Sequence, residues 1–272
     1  LQGDVNVAND LVIDGGNELN LGNNTITVAG FSNIDGVLDF DNGGIFDANG
    51  AFDATDGTVQ FTGSGGNLKL GGATVTSLGN TLTEGTGTIE YDYAGNQTVI
   101  SETYHNLIIN NATGVKTAGG ALDIDGDLTV TAGTLAMGVN SADVASGKTV
   151  DIDGTLTISS GSFVANGPTN ISGTLNITTT GDYDANGTFT ALGGDIDFDG
   201  AGFLKCAITV SSLGTLSTDA GTVIYDQDNG GTTPVDPEPV DDDGGFLPGF
   251  SAIMGIISML GAAILVAGRR KD

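Results

Sequence analysis

The sequence predicts an all-β chain: a parallel β-helix or β-solenoid ectodomain, followed by a disordered acidic linker and one C-terminal transmembrane helix. Three observations carry this. Short runs alternating apolar and polar residues fill positions 1–226 between Gly and Asn punctuation, and no helix-period apolar pattern interrupts them. Related runs return at spacings of 19 to 28 residues, a length that suits one coil of a solenoid. The chain then loses its apolar residues across a Pro- and Asp-rich stretch and regains them in an uncharged run that ends at Arg269.

Residues 1–226 form the predicted ectodomain. Between positions 122 and 130, Leu122, Ile124, Leu128 and Val130 share one strand face, while Asp123, Asp125, Asp127 and Thr129 share the other. One face is core and the other meets water. The pattern returns as Val150, Ile152, Leu156 and Ile158, then as Ile171, Leu175 and Ile177, with Gly126, Gly154 and Gly173 at matching positions. Ile124, Ile152, Ile171 and Ile196 follow one another at 28, 19 and 25 residues, which predicts coils with corner loops of variable size. A longer unit also recurs: residues 82–92, LTEGTGTIEYD, match residues 216–226, LSTDAGTVIYD, at an offset of 134, each preceded by Leu68-Lys69 or Leu204-Lys205. This is the mark of duplication. An array of β-sandwiches is the competing architecture, but sandwich repeats need roughly 90 to 100 residues.

Residues 227–245 contain Pro234, Pro237 and Pro239 and end in Asp241-Asp242-Asp243-Gly244-Gly245. Such a segment cannot bury enough apolar surface to fold, so it is expected to act as an extended stalk. Residues 246–272 are the predicted membrane segment. No charge occurs from Gly244 to Gly268, and 25 helical residues reach about 37 Å, enough for a ~30 Å hydrocarbon core with tilt. Arg269, Arg270 and Lys271 then form a basic stop that favours the cytoplasmic side and places the preceding chain outside the cell. The expected location is the cell surface, membrane-anchored. Because an exported chain needs a leader and Leu1 opens this one, a segment missing from the N-terminus is also expected.

Composition narrows the chemistry. The net charge is -27, Asp outnumbers Glu 29 to 5, and the only basic residues before position 269 are Lys69, Lys116, Lys148 and Lys205. Nucleic acid is therefore excluded as a partner, since phosphate affinity comes mainly from Lys and Arg. Cys206 is the sole cysteine, so no intrachain disulfide can staple the fold. Its place corresponds to Leu70 in the long repeat, the position of a small core residue. His105 is the only histidine, which rules out a multi-histidine metal centre and any catalytic arrangement needing a second one. A lyase acting on acidic sugars would want cationic side chains this ectodomain lacks. The expectation is no enzyme and no catalytic residues, with an inverting hydrolase using two Asp as the one catalytic alternative.

Asp195-Ile196-Asp197-Phe198-Asp199-Gly200 copies the start of an EF-hand loop, but Cys206 falls where a bidentate Glu is required. Strand alternation instead sets Asp195, Asp197 and Asp199 on one outward face. Stacking would then build carboxylate ladders, and low-affinity Ca2+ binding or adaptation to salt would relieve their repulsion. Otherwise no cofactor is expected. Sequons at Asn23, Asn96, Asn111, Asn170, Asn176 and Asn186 are candidate glycosylation sites.

Pro248, Gly249 and Phe250 ahead of the apolar run and the basic end together resemble the archaeal PGF-CTERM sorting tail. The resemblance implies an archaeosortase-like processing enzyme as partner, removal of the helix near that motif, and attachment to a membrane lipid. A plain C-terminal transmembrane anchor is the alternative. The repeats around Tyr104 to Leu135 resemble those of secreted β-solenoid surface proteins of the adhesin or filamentous-haemagglutinin type. That likeness implies a non-catalytic structural or adhesive role at the surface, with glycans or other surface-layer proteins as partners. A carbohydrate-binding or polysaccharide-cleaving β-helix and a self-assembling surface-layer subunit are the alternatives.

Overall fold

The computed structural model describes residues 1–225, apart from Ile208 and Asp219; the predicted linker 227–245 and the predicted membrane segment 246–272 lie outside the described residues. The described chain is a parallel β-solenoid of about ten turns with almost no helix. Each turn lays strand on each of three faces, with Asn106–Ala118 and Leu128–Gly138 each running continuously over the first two, and every strand pairing is parallel.

The first face runs the length of the fold. Its eleven stacked strands start at Val5–Val7 and Thr25–Val28 and end at Phe189–Thr190 and Val210–Ser212. Register along it gives the true coil length. Ile89 lies opposite Leu107, 18 residues on, and Leu128 opposite Val150, 22 residues on, with the other steps between these values. The recurring isoleucines do not form one column. Only Ile152 and Ile171 are stacked partners; Ile196 sits over Leu175 on the second face, and Ile124 pairs with Val144 on the third. Alternation repeats on every face of every coil, so copies of one pattern can belong to different faces.

The alternation itself is as the sequence predicts. Leu122, Ile124, Leu128, Val130, Val150, Ile152, Leu156 and Ile158 are fully or almost fully buried, and Asp123, Asp125 and Asp127 are exposed. Each inward residue rests on its counterpart one coil away, at the ~4.8 Å spacing of paired strands. The result is columns such as Ile26, Phe46, Leu68, Ile89 and Leu107, all within one continuous core. Aromatic side chains stack the same way: Phe40 on Phe61 with centroids 4.5 Å apart, and Phe163 on Tyr183 at 5.1 Å.

The recurring glycines have a steric reason. A Cβ on Gly126 would overlap the carbonyl of His105, one on Gly154 would press on Gly133, and one on Gly173 would overlap the carbonyl of Gly154. These corners bring backbone against backbone in the preceding coil, so no side chain fits. Gly173→Ala is therefore expected to lower stability by about 1 to 3 kcal/mol, as overpacking does. Gly15→Ala, whose added carbon would make only ordinary contact with Asp35, should stay within about 0.5 kcal/mol. Denaturant melts of the two variants check this.

Candidate functional site

Because inward positions are filled, any recognition chemistry lies on the outward columns. On the third face Thr103, Asp123, Asp143, Val164, Asp184 and Lys205 follow in register. Asp123 stands directly opposite Asp143, a like-charge pair that weakens the sheet locally. A shallow groove of about 420 Å³ opens over this stretch, and its polar lining consists of Ser101, Glu102, Thr103, Asp123, Ser141, Asp143 and Ser162. Its hydroxyls and carboxylates can exchange hydrogen bonds with a polyhydroxylated ligand. No aromatic or cationic side chain lines it, so it lacks a stacking platform for a sugar ring.

Asp195, Asp197 and Asp199 sit on the second face as expected, on the strand Asp195–Gly200. Their neighbours differ from the expected carboxylate ladder. Asp195 lies between Thr174 and Thr215, Asp197 between Asn176 and Ser217, and Asp199 beside Thr178. Each carboxylate thus has neutral hydroxyl or amide groups on the adjacent coils, which disperses charge without a counter-ion. Among the described residues no three His, Cys, Asp or Glu side chains come together as a metal site requires.

The densest polar chemistry is one that sequence reasoning missed. Glu90 points outward from the first face yet is buried. Its carboxylate accepts from Asn67 Nδ2 at 3.1 Å and Asn110 Nδ2 at 2.7 Å, and it pairs with Lys69 Nζ at 3.2 Å. Burial works to raise this carboxyl, and the two amide donors together with Lys69 outweigh it, so its pKa lies below the ordinary Glu value. Asp92, 4.0 Å from the same lysine, is displaced upward, by burial first and then by the charge of Glu90. On the second face of the following coil, Lys116 is fully buried and donates to the carbonyls of Tyr93 at 2.6 Å and Gly95 at 3.0 Å. Burial pushes its ammonium below the ordinary Lys value, against the pull of Asp92.

The remaining sequence candidates are scattered. His105 lies partly exposed between two strands of adjacent faces. Cys206 is buried beneath Ala185 and Tyr225, at the core position its match to Leu70 predicts, and burial drives its thiol up to about 12. The six sequon asparagines divide. Asn23 and Asn170 are exposed, whereas Asn111 donates its amide to the carbonyl of Asp92 and Asn186 donates to Asn166 Oδ1. Asn96 uses its oxygen to accept from the Val115 N–H, and Asn176 keeps a buried oxygen. Pro248, Gly249, Phe250, Arg269, Arg270 and Lys271 lie outside the described residues. No protein-family model, curated protein or solved structure matches the chain.

The Glu90 arrangement makes a pH-dependent contribution with a definite sign. A carboxyl whose pKa is lower folded than unfolded stabilises the fold above its unfolded value of about 4.3, and the contribution fades as pH falls through the folded value. Glu90→Gln should therefore lower stability at pH 7 while changing it little at pH 2, as read from urea midpoints across that range.

Proposed function

We propose that this chain is a non-catalytic structural or adhesion protein of the cell surface, displaying an acidic β-solenoid on a short stalk anchored through its C-terminal signal. The observation that carries the reading is the make-up of the outward columns. They repeat Thr, Ser, Asn and Asp in register over many coils, as on the strands Thr155–Ile158, Thr174–Thr179 and Asp195–Gly200. A surface that repeats at a fixed step suits weak contacts multiplied along its length, where avidity rather than any single subsite supplies the strength. The Pro-Gly-Phe motif, apolar run and basic end supply the address, with an archaeosortase-like enzyme and the membrane as partners.

The groove over Asp123 and Asp143 favours a second reading of the same surface, as a carbohydrate-binding module. A glycan array separates the two. Retention of particular oligosaccharides, lost in Asp123→Ala, would favour the module, whereas no selective retention leaves the structural role.

Two measurements on protein from native membranes test the surface assignment. Mass spectrometry of the C-terminal peptide should find an end near Pro248-Gly249-Phe250 carrying lipid mass; an intact Asp272 would remove the sorting claim and leave a simple anchor. Glycopeptide mapping should find glycan at Asn23 and Asn170 and none at Asn111 and Asn186, whose amide groups are committed to hydrogen bonds.

A further inference from the structure

Two of the three faces break at the same place. On the second face, the sheet that starts at Leu11–Ile13 ends at Val75–Ser77, and the strand of the following coil, Gln97–Val99, is bonded only onward, to Lys116, Thr117 and Ala118. On the third face, one sheet ends at Thr81–Thr83 and a separate one begins at Thr103–Tyr104. Only the first-face pairing of Asn67–Leu70 with Thr88–Tyr91 crosses this level. Among the described residues, no backbone hydrogen bond joins positions 71–86 to positions 93–105.

Side chains take over where the ladder stops. Gln97, itself buried, donates across the gap to the carbonyls of Leu70 at 2.9 Å and Gly72 at 2.8 Å. Lys69 reaches Glu90 from the preceding coil, as does Asn67. Within the first coil past the gap, the Tyr91 hydroxyl accepts from the Ile100 N–H at 3.0 Å. The Tyr104 hydroxyl, 3.1 Å from that of Tyr91, donates to the Ile100 carbonyl at 2.6 Å. Backbone groups that would otherwise bond to a neighbouring coil are satisfied locally.

The long sequence repeat falls on this boundary. Its first copy spans the gap, with Asn67–Leu70 in the last coil before it paired on the first face to Thr88–Tyr91 in the first coil past it. Its second copy closes the last described coil, with Phe203–Cys206 paired to Thr222–Tyr225 on the third face. The two copies lie one face apart, the first across the gap and the second at the last described coil. We infer that the solenoid is two stacks, residues 1–86 and 87–225, joined through the first-face ladder alone, and that the junction is a built-in yield point at which the first stack opens as a unit while the second stays folded.

In a repeat array, stability is the sum of each repeat and its nearest-neighbour interfaces, so cooperativity breaks where an interface is poorest. This interface has one ladder where the others have up to three. The first stack is also the smaller, with four strands per complete face against seven on the third face of the second stack. Apolar stacking persists across the gap, where Leu68 lies opposite Ile89 and Leu70 opposite Tyr91 within one continuous core, which keeps the two stacks docked at rest.

Native-state hydrogen exchange on the full chain, followed by mass spectrometry at rising denaturant, tests the inference without any variant. Strands between positions 25 and 70 should lose protection together, at a denaturant concentration where strands between 128 and 200 remain protected. Gln97→Leu should cut the protection of the first set by about tenfold or more and leave the second nearly unchanged. Lys205→Met, which removes the 3.1 Å pair with Asp182 inside the second stack, should leave the first set as it was. A single step in which both sets lose protection together in the unmodified chain would overturn the inference. So would equal loss from both sets in Gln97→Leu.

Discussion

In-register parallel stacking governs this molecule. At a spacing of about 4.8 Å, every side chain must share its environment with the residues one coil above and below. Inside, that constraint yields unbroken apolar columns, and a change of size at one level is felt by its neighbours. The packing of Phe163 on Tyr183, with ring planes 6° apart, shows how closely the columns match. At the corners the same spacing leaves no room for a Cβ where one turn crosses the backbone of the last, which is why glycine recurs there rather than any small residue.

Outside, stacking turns composition into electrostatics. A chain of net charge -27 cannot place each Asp over another Asp without cost. The second face shows the usual solution, in which Thr174, Thr215, Asn176 and Ser217 separate the carboxylates of Asp195 and Asp197 from other charge. Elsewhere lysine does the separating, as Lys69 does between Asp47 and Glu90. Asp123 opposite Asp143 stands apart from this rule, and it coincides with the groove. Asn166 Nδ2 donates to Asp143 Oδ1 at 2.8 Å, so an amide rather than a lysine offsets part of the repulsion at this pair.

The period-two pattern was legible because it is enforced at every coil: alternation alone sorts Leu122 through Val130 into core and solvent faces. The assignment of strands to faces was not legible. Ile124, Ile152 and Ile196 obey the same alternation but occupy three different faces, since a solenoid presents one local environment three times per turn. The polar cluster was hidden for a related reason. Gln97 and Lys116 stand at inward positions, in one column with Leu135 and Leu156. Polarity at an inward position could have flagged them, but only after register was known. Glu90 carries no such signal, because its burial comes from Asn67 and Asn110 on flanking coils that sequence spacing alone does not bring together.

Three of the buried polar side chains, Glu90, Gln97 and Lys116, collect where two faces lose their ladders, and this fixes their physical role. Replacing a strand pair by Gln97 and the two tyrosine hydroxyls satisfies the same carbonyl and N–H groups, but through side chains that rotate and whose geometry tolerates less disturbance than a ladder. Lys116 adds a further constraint, since its ammonium is held by two carbonyls and the more distant charge of Asp92. A buried cation of this kind contributes little net stability, and its removal leaves orphaned acceptors. Its value lies in specificity: the turn through Tyr93 and Gly95 closes over one side chain, which ties the coil that opens the second stack to the coil after it.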